Sequence, residues 1–377
     1  MRTEKFAQLL YRIGIRTVTG IPDSVLQPFC SYMDVVGNEK FVHYVPAHEG
    51  AAVGIAIGSY LASKKPACVY AQNSGIGNMV NPLTSLANSA VYGIPMMLLV
   101  GWRGEPGTED EPQHKFMGGI TGKMLDDLQI GHYVLKAAMT DGEMMDACAR
   151  AEAELSKGRQ YAFVITKGFF DMEGVCGCQN DCSLSREQAI REIVLSAEEE
   201  DVFVSTTGKI SRELYELMEQ IKGNHKQAFL TVGGMGHASM IAFGIAKEKP
   251  DRSVYCLDGD GAALMHMGSL AFLGKQKPEN LVHICLDNGV HESVGGMPTG
   301  SSGLNYAKVA AACGYPAVHT AHTMSELKLL LADIRYSCVL TFLEVRVSIG
   351  ARAELGRPRE TAVENKHHFM RYLGGEE

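Results

Sequence analysis

The sequence predicts an α/β protein built of two doubly wound parallel-sheet domains. Short apolar runs rich in Val and Ile alternate with segments of helical period along the whole chain, the pattern of parallel strands covered on both faces by helices. One stretch, Glu173–Ser185, is short of aliphatic residues and carries Gly, Cys, Asn and Asp throughout, so it reads as a linker between two similar halves. The 377 residues, at about 100–200 per domain, hold two such domains and leave little for a third. No short-period repeat is apparent.

In the first half, strands are expected near Thr17–Gly20, Phe41–Val45, Ala67–Ala71, Met96–Val100 and Tyr161–Thr166, with the clearest helices at Glu49–Ala62 and Glu143–Leu155. Ser185 and Gln188 form the S-x-x-Q pattern of a capping box opening a helix. In the second half, strands are expected near Val202–Ser205, Ala228–Val232, Ser253–Leu257, Leu281–Leu286 and Val339–Val345. The helices between and around them are Ser211–Gln220, His237–Ala246, Gly268–Leu273, Tyr306–Ala312 and Ser325–Ile334. The resulting division is 1–175, a linker over 176–185, and 186–377.

Composition narrows the function classes. Hydrophobic residues make up 46% and charged residues 21%, which excludes a disordered or fibrous chain. A net charge of −8 provides no global basic field for nucleic acid or an anionic membrane, so any anionic ligand is gripped locally. The longest apolar stretch, Val91–Trp102, is broken by Gly93 and Pro95 and falls short of the ~20 residues of a membrane span. The N-terminus reads as an amphipathic helix rather than a signal peptide. Cys68, Cys256, Cys285 and Cys338 fall in expected strands, where Cys acts as a small hydrophobe, and a reducing cytoplasm is the expected setting. Cys176-x-Cys178-x₃-Cys182 does not have zinc-ligand spacing, and His367-His368 reads as exposed on a polar C-terminal helix.

The most informative segment is Gly259-Asp260-Gly261, then 25 residues, then Asp287-Asn288-Gly289. Each triplet follows a strand and so lies at the carboxyl edge of a parallel sheet, where α/β folds bind ligands. The glycines let backbone N–H groups approach a phosphate, and Asp260 and Asn288 offer hard oxygen ligands suited to Mg²⁺. Either triplet alone is also an ordinary turn. A glutamate in the other half, Glu49, sits at a strand-to-helix junction ahead of an almost wholly apolar helix. Burial of this kind is what a carboxyl sharing a proton with a ring nitrogen needs; the alternative is a glutamate favoured by the helix macrodipole.

Together these motifs resemble those of the thiamine-diphosphate-dependent 2-oxo acid decarboxylases, whose cofactor signature is GDG, about 25 residues, then NN. Asp287 stands where that family has its first Asn. The resemblance implies two thiamine-diphosphate-enzyme domains, pyrimidine-binding and diphosphate-binding, without a middle domain. It implies thiamine diphosphate and Mg²⁺ as cofactors, the metal held by Asp260, Asn288 and the backbone carbonyl of Val290. It further implies that Glu49 bonds the aminopyrimidine ring, that Met235 in Gly233-Gly234-Met235-Gly236 props the cofactor, and that Thr206-Thr207-Gly208-Lys209 meets the diphosphate. Gly234, Gly259 and Gly261 complete the expected cofactor contacts.

Gly20-Ile21-Pro22-Asp23-Ser24, Arg103-Gly104-Glu105-Pro106-Gly107 and Asp110-Glu111-Pro112-Gln113-His114 are similar to the phosphonopyruvate decarboxylases, with sulfopyruvate decarboxylases as close relatives. That narrower resemblance implies loss of CO₂ from a 2-oxo acid in phosphonate biosynthesis. It also implies a homodimer or larger assembly in which Glu49 and Asp260 of different subunits serve one cofactor, with no nucleic-acid or membrane partner. Asp23 and His114 are candidates for proton transfer, although Pro-Asp-Ser is also a common turn and cap. Arg103, Lys115 and Ser24 are candidates for the substrate's anionic groups, and Gly295–Gly303 for a lid. A rival reading is a nicotinamide dehydrogenase: Gly234-Met235-Gly236-His237-Ala238-Ser239 approximates G-x-G-x-x-G, with Ser239 for the third glycine. Another is a catalytically silent subunit of the same fold.

Overall fold

The computed structural model describes residues 2–35, 39–171, 178–301 and 303–375. The chain forms two compact units, Met1–Gly177 with Ser293–Met297, and Cys178–Glu292 with Pro298–Glu377. No helix among the described residues is long and apolar enough to cross a membrane.

The first unit holds six parallel strands: β1 (Thr17–Gly20), β2 (Val42–Tyr44), β3 (Ala67–Gln72), β4 (Met96–Gly101), β5 (Gly131–Leu135) and β6 (Tyr161–Ile165), in spatial order β2-β1-β3-β4-β6-β5. Because side chains alternate along a strand, each central strand feeds two cores. Cys68, Tyr70, Met97 and Leu99 join Phe6, Phe29 and Phe163 on one face. Ala67, Val69, Ala71, Leu98 and Val100 join Val53 and Ala56 of the helix Glu49–Ser63 on the other. This double burial is why these strands read as continuous apolar runs.

The second unit has β7 (Val202–Ser205), β8 (Ala228–Leu230), β9 (Val254–Gly259), β10 (Leu281–Asp287), β11 (Ala317–Ala321) and β12 (Thr341–Arg346), in order β11-β12-β10-β9-β7-β8. Read from the opposite edge and renumbered from β7, this is the order of the first sheet. The two units therefore share one topology that the sequence does not display as a repeat. In each, the strand order reverses beside the first strand, between β1 and β3 and between β7 and β9, the switch point at which such sheets open a crevice.

Ten of the twelve strands of these two sheets coincide with the expected runs. The two that do not, β5 and β11, are edge strands. Their segments, Gly131–Leu135 (GHYVL) and Ala317–Ala321 (AVHTA), are mostly half-exposed and have no unbroken apolar run to mark them. The capping box forms as its spacing requires: Ser185 Oγ accepts from Gln188 N (3.2 Å), and Gln188 Oε1 from Ser185 N (3.0 Å), opening the helix Arg186–Ser196.

Helix Gly268–Gln276 lies so close to the Cys313–Gly314 turn that a Cβ on Gly274 would stand 1.9 Å from the Cys313 carbonyl oxygen. A backbone oxygen cannot rotate aside. Gly274→Ala is expected to destabilise the protein by about 1–3 kcal/mol in chemical denaturation. Gly244→Ala, in a helix with nothing within 4 Å of the added methyl, is expected to stabilise it by about 0.5–1 kcal/mol.

Candidate active site

In the first unit the chemically distinctive side chains leave the carboxyl ends of β1, β2, β3 and β4. Asp23 follows β1 and is 1% exposed. Its Oδ1 accepts from Val25 N (2.8 Å) and Leu26 N (3.3 Å), whereas Oδ2 is buried with no hydrogen-bond partner. Burial pushes its pKa up to about 6, against the partial offset of those N–H groups and of the Arg103 charge. A carboxyl with one free oxygen and a pKa near neutrality can both give and take a proton. The absence of a side chain at Gly101 makes room for it, since a Cβ there would lie 2.2 Å from Asp23 Oδ1.

Glu49 opens the helix after β2 and is likewise buried. Asn78 Nδ2 donates to its Oε2 at 2.8 Å, and a Cβ on Gly75 would stand 2.5 Å from Oε1. One amide and one glycine thus set the carboxylate's position. After β3, the fully buried Asn73 braces the loop that follows β4. Its Nδ2 donates to Arg103 O (2.8 Å) and Thr121 Oγ1 (2.9 Å), and its Oδ1 accepts from Arg103 N (3.2 Å).

Arg103 itself is not a free cation. Its Nε and Nη2 grip Asp110 bidentately (2.8 and 2.5 Å), and Nη1 donates to Ser24 Oγ (3.0 Å). Asp110 also accepts from Gly104 N (2.7 Å), and the Arg103 hydrogen bonds above all hold its carboxyl well below the usual range. The fork-to-fork geometry therefore fixes the guanidinium beside Asp23 and Ser24. His114, on the helix Pro112–Asp127, is half-buried; burial first, then the Arg103 charge, lowers its pKa, so the neutral imidazole dominates at pH 7. Lys115 is exposed and makes no hydrogen bond or ion pair among the described residues. The structure thus gathers Asp23, Ser24, Arg103 and His114 around one guanidinium and leaves Lys115 outside that network.

In the second unit the loops after β7, β9 and β10 converge. Gly208 adopts φ +101°, ψ −140°, a conformation suited to glycine, and caps the helix Lys209–Lys222, whose first N–H groups are open to an anion. Asp260 is buried; its Oδ2 accepts from Thr299 Oγ1 (2.6 Å) and Ser301 Oγ (3.2 Å), and no cation among the described residues pairs with it. Burial accordingly raises its pKa. Thr299 and Ser301 come from the glycine-rich stretch read as a lid. Their hydroxyls are engaged on Asp260, while Ser293–Met297 belongs to the first unit and Met297 is part of that unit's core. Ser302 lies outside the described residues.

Asn288 Nδ2 donates to Glu292 Oε2 (2.8 Å), and Asn288 Oδ1 accepts from Val290 N (3.1 Å), which orients the amide. Glu292 is held in turn by Arg186 (2.7 Å) and Lys209 (2.6 Å). Asp287, where the signature has Asn, pairs with Arg346. The Met235 methyl reaches to 3.3 Å from where a Cβ on Gly261 would stand, so Met235 packs over the Gly259-Asp260-Gly261 turn between Gly234 and Gly236, both at positive φ. An uncompensated buried carboxylate, an oriented amide and hydroxyl neighbours form an all-oxygen donor set of the kind a hard divalent cation takes. Glycine-lined turns and a helix N-terminus beside it suit a diphosphate. The residues present fit a metal–diphosphate cofactor.

Sequence reasoning missed Asn73, Asn78, Arg186 and Glu292; it singled out the segments holding Asp110, Thr299 and Ser301 but gave those three residues no role. Asp110, seven residues from Arg103, and Glu292, four from Asn288, are near a partner in the chain, whereas the other contacts span much longer separations. Asn73 and Asn78 follow a strand end, a place where polar residues gain meaning, but neither carries a motif of its own. Cys176 lies outside the described residues.

Residues 3–130 match the family described as thiamine pyrophosphate enzyme, N-terminal TPP binding domain, and residues 206–345 its C-terminal TPP binding domain. The chain is 36% identical to a phosphonopyruvate decarboxylase of Streptomyces viridochromogenes, over 96% of this chain and 92% of that one. It is 36% identical to the phosphonopyruvate decarboxylase of Streptomyces hygroscopicus, over 96% and 91%. Similarity to a sulfopyruvate decarboxylase of Methanosarcina acetivorans is 26%, over 82% of each chain. With its two parallel sheets and paired strand-end motifs, the chain belongs to the thiamine-diphosphate-dependent decarboxylases, in the family of the phosphonopyruvate decarboxylases.

Proposed function

We propose that this enzyme decarboxylates 3-phosphonopyruvate to phosphonoacetaldehyde and CO₂, with Mg²⁺ beside thiamine diphosphate, as a step of phosphonate biosynthesis in the cytoplasm. The observation that carries the substrate is the near full-length identity to two phosphonopyruvate decarboxylases, against a lower identity over less of the chain to the sulfopyruvate enzyme. Bound thiamine diphosphate supplies the electron sink that lets the carboxylate leave as CO₂.

The chain's own residues take the remaining tasks. Glu49, positioned by Asn78, holds a proton against the aminopyrimidine ring nitrogen. Asp260, Asn288 and the Val290 carbonyl hold Mg²⁺. Gly234, Met235, Gly259 and Gly261 shape the cofactor cradle, with Thr207 and Gly208 at its diphosphate end. Asp23 returns a proton to the carbon that loses CO₂; its free oxygen and near-neutral pKa support that role. His114, neutral at pH 7, handles the proton of the developing hydroxyl. Arg103, Ser24 and Lys115 receive the substrate's anionic groups, Asp110 fixing the Arg103 fork toward Ser24. The working enzyme is a homodimer or larger, with Glu49 and Asp260 contributed by different subunits.

Decarboxylation of phosphonopyruvate, sulfopyruvate and pyruvate is measured in parallel, with and without thiamine diphosphate and Mg²⁺. Cofactor-dependent turnover is expected to favour phosphonopyruvate. A preference for sulfopyruvate overturns the substrate, and absence of turnover with all three overturns the reaction. Glu49→Gln is expected to lower kcat by about 10²–10⁴-fold, and undiminished turnover would contradict its role.

Asp23 carries a second readout. A carboxyl with a raised folded-state pKa contributes stability that is fully present below its unfolded value, about 3.9, and is lost as pH rises through about 6. Asp23→Asn removes that loss. Relative to wild type, the variant is expected to gain about 1–3 kcal/mol between pH 4 and pH 7 in chemical denaturation, while its kcat falls. A difference independent of pH would contradict the burial argument.

A further inference from the structure

The C-terminal helix Ala362–Gly374 is anchored on the edge strand β8: Asn365 Oδ1 accepts from Leu230 N and its Nδ2 donates to Ala228 O, both at 3.0 Å, and Phe369 is buried. At the start of this helix is a cluster that the proposed reaction does not use. His225, in the turn after the helix Lys209–Lys222, has a carboxylate against each ring nitrogen, Glu219 Oε1 at Nδ1 (2.5 Å) and Glu360 Oε1 at Nε2. The other oxygen of Glu360 meets Nδ1 of His368 at 2.8 Å.

A neutral imidazole has one N–H and one lone pair. If Nδ1–H is donated to Glu219, Nε2 meets Glu360 either as the second N–H of an imidazolium or, in the neutral ring, as a lone pair that a cation shared with Glu360 would satisfy in place of the direct contact. Ligand atoms of His225, Glu360 and His368 all lie within 4.8 Å of one another. The side chains of His225 and Glu360 are only 14% and 10% exposed, so the cluster is sheltered but open at His368. Two imidazoles and a carboxylate suit Zn²⁺, with water as the fourth ligand. Glu219 on the far nitrogen of His225 is the outer carboxylate that fixes the tautomer of a metal-bound histidine.

We propose that His225, Glu360 and His368 form a Zn²⁺ site, oriented by Glu219, that clips the C-terminal helix to the body of the second unit. The site is independent of the decarboxylation chemistry.

The test uses full-length protein without a histidine tag, stripped with chelator and titrated with Co²⁺ and then Zn²⁺. The expected result is one equivalent of Co²⁺ with the visible absorption of a tetrahedral complex, displaced by Zn²⁺, and a higher melting temperature in Zn²⁺ than in EDTA. His368→Ala, on the half-exposed face of the helix, is expected to lose both effects while keeping decarboxylase activity. Glu219→Gln is expected to weaken Zn²⁺ about tenfold or more. Zn²⁺ binding identical in wild type and His368→Ala, or no tetrahedral Co²⁺ signal in wild type, overturns the site; in the latter case a proton occupies the gap.

Discussion

Burial of carboxylates at the carboxyl ends of two parallel sheets is the constraint on which this molecule depends. Asp23, Glu49 and Asp260 are all withdrawn from water, and Asp260 has hydroxyl partners but no cation among the described residues. Taking a charge out of water is costly unless it is paired, neutralised or bound to metal. Burial raises the pKa of both Asp23 and Asp260, and the proposed Mg²⁺ would satisfy the charge of Asp260. Arg103 and Asp110 show the contrasting solution, mutual pairing, which leaves a fixed guanidinium beside Asp23 rather than a mobile one.

The same topology recurs in both units with different residues at its strand ends. A sheet of order β2-β1-β3-β4-β6-β5 opens its crevice beside the first strand, and both units do so. In the first, the crevice is furnished with carboxyl, amide and guanidinium groups on loops after β1–β4. In the second, glycines, hydroxyls and an oriented asparagine occupy the equivalent strand ends. One scaffold thus carries two differently furnished strand ends, for which we propose proton handling in the first unit and metal–diphosphate binding in the second.

What was legible in the sequence follows from how each feature is encoded. Central strands announce themselves because burial on both faces demands unbroken apolar runs, as in Met96–Gly101. The edge strands Gly131–Leu135 and Ala317–Ala321 are half-exposed and escape that test. Asp260 and Asn288 were visible because each sits beside glycine in a triplet that follows a strand, the two triplets 25 residues apart. The braces were not: Asn73 reaches Arg103 across 30 residues, Arg186 reaches Glu292 across 106, and Thr299 reaches Asp260 across 39. Such contacts exist only once the fold has formed. His368 shows the same limit, an apparently exposed residue whose meaning depends on a glutamate and a histidine brought to it by the fold.

Asp260, buried and without a cationic partner among the described residues, is proposed to hold a metal-bound diphosphate. Calorimetric titration of thiamine diphosphate into wild type and Asp260→Asn, each in Mg²⁺ and in EDTA, tests it most directly. Wild type is expected to bind in a Mg²⁺-dependent manner, and Asp260→Asn with affinity lower by about a hundredfold, or about 3 kcal/mol, and little metal dependence. Equal affinity and equal metal dependence in the two proteins would contradict it.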